Sequence, residues 1–62
     1  MTEVEKARAA MEADFKTAHM PQAVKDAIWN VAWDLGHAYG LYEVRGMYGD
    51  IADVALAYEA AK

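Results

Sequence analysis

Asp34 and His37 are the pair best spaced for chemistry. Residues three apart on a helix share a face. A carboxylate there can orient an imidazole for acid–base work, or the two can offer ligands to a metal. Asn30 sits one turn earlier. The same spacing also suits an ordinary helix-surface hydrogen bond. A zinc site needs three or four ligands, and only His37, Asp34 and Glu43 can be nominated, so no metal is expected. Glu43, Asp50 and Asp53 form a second acidic group. They lack the closely spaced oxygen ligands of a calcium loop and read as a solvated acidic face. His19 precedes Pro21 by two residues and suits a helix C-terminus, where its charge meets the negative pole. The absence of cysteine removes thiol nucleophiles, cysteine zinc sites and disulfides. No catalytic residue and no cofactor is expected, and the chain reads as a non-enzyme.

The aromatic residues carry more weight. Trp29 and Trp33 lie one helical turn apart, either as core anchors or as contact residues for a partner. Tyr39, Tyr42 and Tyr48 each join an apolar ring to a polar tip, which suits a partly wet contact surface. The candidate partner-binding set is therefore Trp29, Trp33, Asp34, His37, Tyr39, Tyr42, Glu43, Tyr48 and Asp50. Gly36 and Gly40 form a small-xxx-small pair between the Trp-rich and Tyr-rich segments. They mark either a close helix crossing or a break in the helix. A phosphate loop fits poorly, since the spacing matches no nucleotide motif and no lysine follows.

These residues need helices to position them. The first is predicted over residues 3–18, with Thr2 as N-cap and Glu3 and Glu5 at the positive end. Val4, Ala7, Met11, Phe15 and Ala18 recur at steps of three and four, and Glu12 and Lys16 form a favourable i,i+4 pair. A turn at 19–21 follows, because the residue before a proline is biased out of the helical region and Pro21 suits a first helical position. The second helix spans about 21–37. It carries two apolar stripes, one of Val24, Ile28, Val31 and Leu35, and one of Trp29 and Trp33. A helix so widely apolar is central in a bundle or buried by a partner. The third covers about 41–60, with Leu41, Val44, Tyr48, Ile51, Ala55 and Tyr58 on one face. Its stripe is out of phase with that of the second helix. Either the chain breaks near residues 36–40, or one long helix packs different things on its two halves. Gly49 before Asp50 offers another possible boundary. The expected fold is all-α, a small helical hairpin or three-helix bundle, in one domain covering residues 1–62.

Composition narrows the function classes. A chain of 62 residues buries only roughly 60% of its unfolded surface. Its hydrophobic fraction of 56% is high for that size, so a homodimer or a bound partner is expected to cover some of it. The net charge of -4, with scattered Lys and Arg, argues against direct nucleic-acid binding. No stretch nears the ~20 apolar residues of a spanning helix, and no export signal is visible, so a cytoplasmic chain without membrane contact is expected.

Gly36-His37-Ala38-Tyr39-Gly40-Leu41-Tyr42-Glu43-Val44, followed by Tyr48 and Asp50, resembles a pattern in small bacteriophage-encoded helical proteins. That pattern reads Gly-His-x-x-Gly-x-x-Glu-Val and later Tyr-x-Asp, and here Tyr39 stands where it usually has a small residue. The resemblance implies a viral origin, residence in the host cytoplasm and the habit of binding and inhibiting host machinery such as defence or CRISPR complexes. It implies no catalytic residue. The leading expectation is thus a phage-type inhibitor acting on a host or viral protein by contact. The alternatives are a self-assembling structural protein without a separate target and, more remotely, a metal-binding or catalytic protein built on Asp34 and His37.

Overall fold

The computed structural model describes residues 2–62. These form three α-helices and no strand: α1 (Glu3–Asp14), α2 (Gln22–Gly36) and α3 (Leu41–Ala61), with a 3-10 turn at His37–Tyr39. The fold is an all-α, three-helix bundle. Thr2 opens α1 through a capping box. Its hydroxyl accepts from the Glu5 amide at 3.1 Å, and its own amide donates to the Glu5 carboxylate at 3.4 Å.

α1 ends four residues earlier than the apolar pattern suggests. The Thr17 amide donates to the Glu12 carbonyl at 2.9 Å and the Lys16 amide to the Ala13 carbonyl at 3.3 Å. Together they make a Schellman terminus with Lys16 in the left-handed region at φ 62°. Glycine usually holds that position, so no residue type announces the stop. The expected Glu12–Lys16 pair does not form, because Lys16 has left the helix. Glu12 instead accepts from Arg8 Nε at 3.1 Å. The turn occupies residues 15–21, wider than expected, and Thr17 and Met20 within it are buried. Pro21 is the N-cap of α2, not its first helical residue. Its carbonyl accepts from Val24 and Lys25 while its missing N–H is not needed.

Between α2 and α3 the chain both crosses and breaks. A β-carbon on Gly36 would stand 2.8 Å from the Val44 nitrogen and 2.9 Å from its Cα, so only glycine permits this approach. Gly40, at φ 108°, then turns the chain and its carbonyl receives the Val44 amide at 3.2 Å. α2 and α3 are therefore separate helices. α3 runs unbroken through Gly49, against whose bare Cα the Phe15 ring packs. His19 at the start of the hairpin meets Glu59 near its end, Nε2 to Oε1 at 2.7 Å, so α2 and α3 are antiparallel.

The core follows the small residues. Ile28, Ala32 and Gly36 on α2 face Val44, Tyr48 and Ala52 on α3, with Met11 and Met20 closing the cluster. The Tyr48 hydroxyl lies 2.6 Å from Thr17 Oγ1. Thr17 also donates to the Glu12 carbonyl at 3.4 Å, which leaves Tyr48 as donor in the first bond. α1 lies across one side of the hairpin. Arg8 joins Glu12 to Asp26 and stands over the Trp29 ring at 5.6 Å. It holds the Asp26 carboxyl below the usual carboxylate range. Arg45 reaches back to Asp14 at 3.0 Å.

Four results are expected in thermal and urea unfolding. Gly36→Ala should destabilise by about 1–3 kcal/mol through backbone overlap, whereas Gly46→Ala, with open space around it, should stabilise by up to about 1 kcal/mol. Burial pushes the Tyr48 phenol above its ordinary 10.0. The unfolded chain then loses that proton first, so stability should fall as pH rises above 10, and Tyr48→Phe should remove that dependence. The same substitution leaves the buried Thr17 hydroxyl without its donor and should cost about 1–3 kcal/mol.

Candidate protein-binding face

A helix turns about 100° per residue, which divides each helix of the hairpin into sectors. On α2, Ile28, Ala32 and Gly36 form the buried seam. Trp29 and Trp33 lie to one side of it, and Val24, Val31 and Leu35 to the other. On α3, Val44, Tyr48 and Ala52 form the seam, with Gly49 on the side of α1 and Met47, Ile51, Val54 and Tyr58 on the opposite side. In an antiparallel pair these opposite sectors point the same way. The hairpin thus has one apolar face covered by α1 and a second that is open.

Exposure agrees with this geometry. Val31 is 48% exposed, Leu35 56%, Val54 70% and Tyr58 68%. At one end of the open face, Met20, Pro21, Val24, Ile51, Val54, Ala55 and Tyr58 line an apolar groove of about 580 Å³, with Glu59 and Lys62 at its lip. The Lys62 ammonium lies 5.0 Å above the Tyr58 ring. Exposed apolar surface that is continuous along two helices is characteristic of a contact surface.

The residues singled out from sequence divide into four groups. Tyr48 is a correction: it is fully buried, its hydroxyl held by Thr17, and it has no surface to offer a partner. Trp29 and Trp33 are half-buried, stack obliquely at 5.6 Å and pack against the core beside α1. Tyr39 and Tyr42, 81% and 88% exposed, stand at the turn between α2 and α3, near the exposed His37. Asp34 and Asp50 are exposed and Glu43 half-buried, each on its helix next to the open apolar sector.

Asp34 and His37 do not form a dyad. His37 Nδ1 donates to the Trp33 carbonyl at 2.7 Å, and its ring stacks on Trp33 at 5.3 Å. The imidazole is thus spent on closing the helix end. Among the described residues no three His, Asp or Glu side chains are placed to hold a metal ion. No described helix is long and apolar enough to cross a membrane.

Sequence reasoning missed Met47 and Val54, and put the exposed Val24, Val31 and Leu35 on one stripe with the buried Ile28. The signal was the breadth of the apolar arc on both helices, which exceeds what one helix contact can cover. Unfolding measurements should separate scaffold from surface. Val31→Asn, Val54→Asn and Tyr42→Ser should each shift stability by no more than about 0.5 kcal/mol, while Trp29→Ala should cost about 2–3 kcal/mol.

No curated protein and no solved structure matches the chain. Residues 2–56 match the family described as a family of unknown function (DUF8546), a span that takes in α1, α2 and most of α3. That span covers most of the chain, the crossing glycine included, and the chain belongs to this family.

Proposed function

We propose that this protein works by protein–protein contact, docking the open face of the α2–α3 hairpin on a host protein complex and inhibiting it, as a phage-type inhibitor in the host cytoplasm. The observation that carries the reading is the continuous exposed apolar sector of Val24, Val31 and Leu35 on α2 and Val54 and Tyr58 on α3. The phage-like motif supports it indirectly. Gly36, Gly40, Val44 and Tyr48 build the crossing, the turn and the core, and His37 closes α2. In this reading that motif is a scaffold for a surface. Tyr39 and Tyr42 extend the contact area at the turn.

The test is capture from host lysate by the tagged chain, compared with a folded Val31→Asn/Val54→Asn variant. One protein complex should be recovered with the native chain, lose activity on binding, and be recovered about tenfold less with the variant, the equivalent of ~1.4 kcal/mol. Equal recovery by both chains sinks the assignment of the face. Charge reversal at Glu43 or Asp50 should also weaken capture without changing helicity.

A further inference from the structure

The open face has edges as well as a floor, and the edges are acidic. Asp34 borders the apolar sector of α2, while Glu43 and Asp50 border that of α3, each within about 60° round its helix of the nearest exposed apolar residue. The ion pairs among the described residues engage Glu12, Asp14, Asp26 and Glu59, and none of these three carboxylates. Four of the six lysines and arginines are held in other contacts. Arg8 and Arg45 are held on the α1 side, Lys25 donates to the Ala18 carbonyl, and Lys62 sits over Tyr58 at the groove's end. Two long edges of the face therefore carry carboxylates that none of the ion pairs among the described residues engages.

The covered side of the hairpin shows how such a face is closed. There a helix, α1, lays Met11 and Phe15 on the seam, and arginines tie helix to helix, Arg8 to Asp26 and Arg45 to Asp14. A groove between two antiparallel helices accepts another helix, whose backbone groups are already paired. A strand would set unpaired N–H and C=O groups over an apolar floor. A second copy of this chain would bring the same uncompensated carboxylates together.

We infer that the occupant of the open face is an amphipathic helix of a partner protein, with Lys or Arg flanking its apolar stripe, laid along α2 and α3. This rests on the protein-binding reading above and names the partner's chemistry. The flanking cations take the part that Arg8 and Arg45 take on the other side. The net charge of -4 adds attraction at longer range.

Two synthetic helical peptides with the same leucine stripe, one flanked by lysine and one by glutamate, test it by NMR titration of the isotope-labelled chain. The lysine peptide should saturate, shifting the amides of Val31, Leu35, Met47 and Val54, and should bind at least about tenfold tighter than the glutamate peptide. Asp34→Asn, Glu43→Gln and Asp50→Asn together should bring the two within about twofold. Val31→Asn with Val54→Asn, which leaves every charge in place, should abolish the lysine peptide's binding. Equal binding of the two peptides, binding of neither, or shifts centred on Trp29 and Trp33 overturns the proposal. So does concentration-dependent dimerisation that shifts the same residues without peptide. If the peptides fail while lysate capture still depends on Val31 and Val54, the basic helix falls and the protein-binding reading stands. If capture is also indifferent to them, both fall.

Discussion

At Gly36 the backbone of α2 lies against the backbone of α3, within 3 Å of where a side chain would have to begin. Most of the architecture depends on that contact. Two helices approach most closely where their side chains are smallest, and the line from Ile28 through Ala32 to Gly36 tapers toward the turn. Once Gly36 touches Val44, the next residues on the same line of α3 are Tyr48 and Ala52, and these become the floor of the core. Gly40 makes the approach possible at the level of the chain, since its φ of 108° reverses direction over a few residues.

The same crossing decides which surfaces remain. With the seam running between the two apolar stripes of α2, neither stripe is wholly buried. The tryptophans fall on the side where α1 lies, and Arg8 stands over one of them. Val24, Val31 and Leu35 fall on the other side, which α1 does not cover. The uncovered face follows from placing one short helix over two longer ones.

Much of the fold was legible locally. Thr2 reads as an N-cap and is one, with Glu5 completing a capping box. Pro21 and Gly40 mark boundaries through backbone sterics that any fold must respect. The end of α1 was not legible, because Lys16 takes a left-handed position that lysine seldom holds and the stop depends on Thr17 being drawn inward to Tyr48. The candidate site was legible in part. Asp34, Glu43 and Asp50 lie beside the open face, and Tyr39 and Tyr42 are exposed. Tyr48 was misread, since an aromatic ring with a polar tip suits both a wet surface and a core with one buried partner. His37 was ambiguous for a similar reason: its spacing from Asp34 and its spacing from the Trp33 carbonyl are both within reach on a helix.

The sequence by itself determined that this chain is helical, where its first helix begins, that the second is apolar over more of its circumference than one contact can use, and that residues 36–40 hold either a crossing or a break. Each of these follows from short-range terms: capping hydrogen bonds, the fixed φ of proline, the freedom of glycine and the period of apolar residues. Only the tertiary structure decided which arc of each helix meets the other, and so which apolar residues are core and which are surface. That choice depends on the closest approach of two backbones, a sum over side-chain volumes on both helices. No window along one helix contains it.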